Sequence, residues 1–150
     1  MWVNPTGLGL RSDELGSGKF GSLRGDRIHL GQDFICEPGQ GIVACTDMQY
    51  RRYVQRVYAT DPNYHGMEFE SDGMLITYFY VDPSINHMEF VKAGQWVALA
   101  QNVSAKYGPA MTPHVHVQIC FMPYTLIIKG GQWNTQLVYI DPLRYIDPEV

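Results

Sequence analysis

The chain has 150 residues, 45% hydrophobic and 17% charged, with a formal net charge of -4. That length gives one domain whose core needs no disulfides to hold it. The acidic balance leaves no electrostatic footprint for nucleic acid or an anionic membrane surface, and no run reaches the roughly 20 apolar residues of a membrane helix.

In chain order, residues 1–25 are glycine-rich and read as a loop-rich wrap around the core. MWVNPTGLGLRSDELGSG lacks the basic and apolar regions of an export signal. Short apolar runs then follow: GIVACTD, YRRYVQRVYAT, GMLITYFYV, QWVALAQ, HVHVQICF and QLVYI, each bounded by Gly, Pro, Asn or Asp. The pattern predicts a mainly β protein with few or no helices. Asp72-Gly73 predicts a tight hairpin, because glycine tolerates the positive φ such turns require, and Lys92-Ala93-Gly94-Gln95 predicts a second turn. No repeat, low-complexity tract or linker divides residues 1–150, so a single domain is expected. Three cysteines, Cys36, Cys45 and Cys120, form no C-x-x-C pair and read as free thiols. The sequon at Asn102-Val103-Ser104 reads as chance in a chain without an export signal.

Two motifs carry chemistry. In PHVHVQIC, His114 and His116 fall on one face of a predicted strand, with β-carbons about 7 Å apart. Such a pair can share a metal, or one imidazole can bind it while the other works beside it; half-exposed strand histidines give the same pattern. In HLGQD, His29 and Asp33 are separated by a glycine, Gly31, that lets the backbone turn tightly enough to aim both inward. His29, Asp33 and one histidine of the later pair make the three-ligand count of a catalytic zinc, with one position left for water.

HLGQD followed by PHVH resembles the lysostaphin-type zinc endopeptidases of bacterial cell walls, with their H-x-x-x-D and H-x-H signatures. SDGMLITYFYV is similar to that family's central hairpin, VKAGQWVALAQ to its V-x-x-G-x-x-V turn, and IDPLRYI to its closing DPLxYL segment, so the resemblance covers nearly the whole chain. It implies an antiparallel β-sheet or β-sandwich with a narrow groove holding the metal. It further implies Zn²⁺ on His29, Asp33 and His116, His114 as the catalytic residue beside the metal water, and peptide cross-links of peptidoglycan as substrate. The family's Y-x-H on the central strand departs to Tyr78-Phe79-Tyr80 here, placing Tyr80 where a histidine helps hold the oxyanion. A phenol can donate that hydrogen bond but brings no positive charge. Tyr78, expected on the same strand face as Tyr80, is a candidate for binding substrate.

GSGKFGSLRGDRIHLGQDFIC, FYVDP and HVHVQIC are also similar to leukocyte cell-derived chemotaxin, a signalling protein of the same fold that likewise has a tyrosine at this place. Cys36 and Cys120 match disulfide-forming cysteines of that protein, whose partners are missing here. Two functions are therefore expected: a zinc endopeptidase acting on peptidoglycan peptide at the cell wall, as in a phage lysis or virion-associated enzyme, or a zinc-stabilised binding module that cleaves nothing. His65 and His87 read as solvated surface residues, although both flank the central hairpin and either is a candidate to supply the missing imidazole. Trp96 and Trp133 are candidates to line the groove, against the ordinary reading of aromatics as core or cross-strand pairs.

Overall fold

A computed structural model describes residues 1–121, 127–129, 132–134 and 137–149. The predicted strands form: β1 Gln32–Ile35, β2 Gly41–Val43, β3 Met48–Val54, β4 Gly66–Ser71, β5 Met74–Phe79, β6 Val81–Pro83, β7 Phe90–Val91, β8 Trp96–Ala100, β9 His114–Phe121 and β10 Val138–Ile140. A single helical turn, Ser104–Tyr107, and a 3-10 turn, Pro142–Arg144, are the helical elements among the described residues. The two predicted turns are present. Ser71 pairs directly with Met74 across Asp72 (φ 47°) and Gly73 (φ 76°). In the other, the Gln95 N–H donates to the Lys92 carbonyl at 2.9 Å, with Gly94 at φ 80°.

The larger antiparallel sheet runs β7–β3–β4–β5–β9–β10, and the smaller runs β6–β8–β2. Both contribute to one core, in which Phe34, Phe69, Ile76, Val115 and Val117 of the larger sheet meet Ile42 and Val97 of the smaller. Strand β9 organises the site. Along one edge it pairs with β5 from His116 to Phe121. Its other edge is divided: β1 takes His114–Val117 and β10 takes Ile119–Phe121. Residues 114–117 are buried on both faces, the valines by the core and the histidines by chain that packs over them.

The covering chain is the N-terminal segment, which is more than a loop. Ser12–Asp13 pairs with Gly16–Ser17, and Leu23–Arg24 pairs with Arg27–Ile28, as two small ribbons. The segment also closes the outer edge of β1: the Arg11 N–H donates to the Asp33 carbonyl at 2.9 Å, and the Asp33 N–H to the Gly18 carbonyl at 2.8 Å. Gly18 is required there, since a β-carbon would lie 2.6 Å from Cβ of Asp33. The closing IDPLRYI segment is tied to the same strand through Gln32 Nε2, which donates to Asp141 Oδ1 at 3.1 Å. All three cysteines are free and buried.

Candidate metal centre

Strand register assembles the cluster. On adjacent rungs, His116 of β9 faces Asp33 of β1 on one side and Phe79 of β5 on the other. Because side chains alternate, His114, His116, Asp33 and Phe79 point to the groove, while Val115, Val117, Phe34 and Tyr78 point to the core. His29 reaches the cluster from the turn before β1. Its Nε2 lies 3.1 Å from Asp33 Oδ1 and 3.0 Å from His116 Nδ1, which is itself 3.0 Å from Asp33 Oδ1. All three residues are buried.

Hydrogen bonds on the far sides of the rings set the tautomers. His29 Nδ1 donates to the Lys19 carbonyl at 3.0 Å, and His116 Nε2 faces Gln118 Oε1 at 3.4 Å. Those oxygens only accept, so the inward atoms of the neutral rings are His29 Nε2 and His116 Nδ1 with their lone pairs. Two nitrogen lone pairs and a carboxylate oxygen thus converge in a triangle. Three mutual hydrogen bonds cannot satisfy it, because each would be bent far from linear. A shared cation does. Bonds of about 2.0–2.1 Å to a tetrahedral ion put its ligands about 3.3 Å apart, close to the spacing seen, and two imidazoles with one carboxylate is a zinc donor set.

Gly31 has a different task from the one its sequence position implied. Its φ is not positive; rather, a β-carbon there would stand 2.6 Å from His116 Nε2. It would also clash with the Val117 carbonyl oxygen, so the glycine makes room for both strand β9 and the His116 ring.

The outer oxygen of Asp33 is held by arginines that no motif pointed to. Arg11 Nε donates to Asp33 Oδ2 at 3.1 Å and Arg24 Nη2 donates to it at 2.8 Å. Arg11, fully buried, also pairs with Asp13 at 2.7 Å. Burial alone would raise the Asp33 carboxyl. The close contacts that His116 and His29 make with it outweigh burial and hold the group well below the usual carboxylate range. The arginines were invisible in the sequence because Arg11 and Arg24 lie in a glycine-rich stretch without periodicity; the available signal was the four basic residues, Arg11, Lys19, Arg24 and Arg27, N-terminal to HLGQD.

His114 sits beside the cluster without joining it. Its Nδ1 donates to the Thr112 carbonyl at 2.7 Å, which leaves Nε2 facing inward, 3.7 Å from Asp33 Oδ2. Burial lowers its pKa against the pull of Asp33, so the imidazole is a neutral base at pH 7.

Tyr80 lines the same groove and meets the His114 ring edge-on, with centroids 5.3 Å apart. Burial pushes its phenol up to about 12, against the opposing hydrogen bond from Tyr58, so it remains a donor. The Tyr58 hydroxyl donates to the Tyr80 oxygen at 3.0 Å, leaving Tyr80's own proton for another acceptor. Tyr78 departs from expectation. It is fully buried, opposite Val117 on the core side of the sheet, and its hydroxyl accepts from the Cys45 N–H at 2.9 Å. The shared face fails because the alternation ends where the chain crosses between sheets: Tyr80 has φ 68°. Phe79 takes the groove side instead and stacks on the His116 ring at 5.5 Å.

The other histidines do not supply an imidazole. His65 Nδ1 is engaged by the Gln55 carbonyl and His87 Nε2 by the Arg51 carbonyl, and neither lines the groove. Trp96 is also elsewhere, exposed on the smaller sheet with its indole N–H on the Ala98 carbonyl. The Trp133 side chain lies outside what is described. The groove, about 870 Å³, is walled by Tyr58, Phe79, Tyr80 and Tyr107.

No protein-family model matches the sequence, and comparison with curated proteins gives no match. Solved structures do match. Csd3 of Helicobacter pylori superposes with a TM-score of 0.63 at 18% identity, over 98% of this chain and 33% of that one. The catalytic domain of the antimicrobial peptidase lysostaphin from Staphylococcus simulans matches at 0.56 and 20%, over 85% of this chain and 87% of the domain. A zinc-containing peptidase from Vibrio cholerae matches at 0.53 and 21%, over 77% of this chain and 36% of its own. This chain therefore spans about a third of Csd3 and most of the lysostaphin domain. Its fold is that of the lysostaphin-type peptidases, as the motifs imply.

Proposed function

We propose that this chain is a zinc-dependent endopeptidase that hydrolyses peptide bonds of bacterial peptidoglycan. The observation that carries the reading is the convergence of His29 Nε2, Asp33 Oδ1 and His116 Nδ1 within 3.1 Å of one another, with both rings' outer nitrogens committed to carbonyl acceptors. These three residues would hold zinc, which when bound supplies a Lewis acid for the scissile carbonyl and makes water acidic enough to attack near neutral pH.

The chain's own groups do the rest. His114, neutral and oriented by Thr112, takes the proton of the attacking water through Nε2 and returns it to the departing nitrogen. Tyr80 offers its hydroxyl proton to the developing oxyanion, with Tyr58 fixing the direction of that hydroxyl. The aromatic wall supports the substrate peptide. The peptidase names of the lysostaphin and Vibrio neighbours support the activity, and the zinc in the latter's name supports the metal.

A second reading, a zinc-stabilised binding module, is favoured by one observation: the phenol at position 80 brings no positive charge. Purified protein incubated with isolated cell walls, with and without a chelator, separates the two. Chelator-sensitive release of new amino groups is the expected result. Zinc-loaded protein that binds walls of every chemotype tried and releases nothing would leave only the binding module.

A further inference from the structure

Asp33 Oδ2 carries two guanidinium groups that differ in every respect bearing on function. Arg11 approaches from behind, with its side chain wholly buried and its charge shared with Asp13 at 2.7 Å. That contact holds Oδ2, while Oδ1 faces the two imidazoles. Arg24 approaches from the groove at a shorter distance, 2.8 Å, with 26% of its side chain exposed. It stands on the ribbon Leu23–Arg24/Arg27–Ile28, turned at Gly25 (φ 65°), and lines the groove. Among the described residues its one side-chain hydrogen bond is to Asp33, and Asp26 of the same turn does not pair with it. His114 Nε2 lies on that same Asp33 oxygen at 3.7 Å. The groove thus has a base and a partly exposed cation side by side at one carboxylate, with the metal-facing oxygen on the other side.

We infer that Arg24 is a catalytic residue: it donates from the groove to the oxyanion of the reaction and supplies the positive charge that Tyr80 cannot. The inference rests on the endopeptidase reading. As water attacks, its oxygen bonds to the carbonyl carbon, His114 takes the proton, and the carbonyl π pair moves onto the substrate oxygen. That oxygen accepts from Arg24 and Tyr80. Collapse restores the carbonyl, breaks the C–N bond and sends the proton from His114 to the leaving amine, so acid and amine are the only products. A guanidinium presents five donors in a fork, so Arg24 can keep Asp33 on Nη2 while another N–H meets the oxyanion.

The test uses Arg24→Ala and Arg24→Lys in the full zinc-loaded chain, with three readouts. Zinc affinity by chelator competition should change little, because Arg11 still holds Asp33. Turnover on cell walls should fall about 100-fold, with KM nearly unchanged, and guanidinium ion at millimolar concentration should restore part of it to Arg24→Ala but none to a His114→Ala control. Inorganic phosphate, a tetrahedral anion, should bind the Arg24→Ala protein about tenfold more weakly than wild type by calorimetry. Phosphate affinity equal to wild type, or a drop in zinc affinity as large as the drop in turnover, overturns the inference and shows Arg24 to be only a second brace for Asp33. A wild-type protein without hydrolysis counts against the endopeptidase reading instead, and the phosphate arm then still decides whether Arg24 faces an anion.

Discussion

Two walls of one groove are built by different means. His29, Asp33 and His116 sit on or beside strand rungs, each ring braced on its far side and the carboxylate held by Arg11 and Arg24. Tyr58 and Tyr80 belong to connections and Tyr107 ends the helical turn, and Tyr80 occupies a left-handed backbone conformation that costs a non-glycine residue roughly 1–2 kcal/mol. That conformation persists because both of its backbone groups are used: the Tyr80 N–H donates to the His65 carbonyl, and its carbonyl accepts from Gln101, each at 2.8 Å. The candidate metal corner is rigid through sheet register, whereas the tyrosine wall is rigid through local bonds at one crossing point. On the zinc reading, loss of the donor side chains of the first should remove the metal, and damage to the second should spare it.

The largest effect is expected from His116→Ala combined with Asp33→Ala, which removes two of three donors. Dialysed protein should contain no zinc by elemental analysis, and a full equivalent retained would show that the ligands lie elsewhere. Next comes His114→Ala, which should keep its zinc while turnover on cell walls drops about 100- to 10,000-fold, the usual range for a general base. Equal activity would remove His114 from the mechanism. Tyr80→Phe sharpens the contrast between the walls: zinc content should be unchanged and kcat lower by about 100-fold, with KM close to wild type. A matching loss of zinc would mean that the tyrosine wall braces the metal corner after all.

The smallest expected effect concerns stability. Burial alone would raise the Asp13 carboxyl, but the Thr112 and Leu15 N–H groups and the Arg11 guanidinium outweigh it and hold the pKa below its usual value. A group depressed on folding stabilises the native state above its unfolded pKa, about 4, and that contribution is lost as pH falls through the folded value. Asp13→Asn should therefore cost about 1–2 kcal/mol at pH 7, with the difference from wild type shrinking below pH 4. Urea titrations showing the same gap at pH 7 and pH 2.5 would contradict this account.

Much of the fold was legible because turns and alternation are local. Asp72-Gly73 specifies its hairpin through two residues that accept positive φ, and HVHVQICF reads as a strand from its own composition. The candidate ligands were legible through spacing within HLGQD and PHVHV. Arg11 and Arg24 were not, since nothing in a glycine-rich segment announces that it folds back over β1. Tyr78 was misplaced for a related reason: alternation holds only while a strand continues, and the crossing at Tyr80 is set by the two sheets it joins.

By itself, the amino-acid sequence determined a mainly β chain, its principal hairpin, its free thiols and the side chains able to bind a metal, all properties of short segments. Tertiary structure decided which oxygen of Asp33 faces the imidazoles, which nitrogen of each ring faces inward, and which cations stand behind them. Those choices depend on cross-strand register and on burial by residues far away in the chain, and neither exists until the sheets have paired.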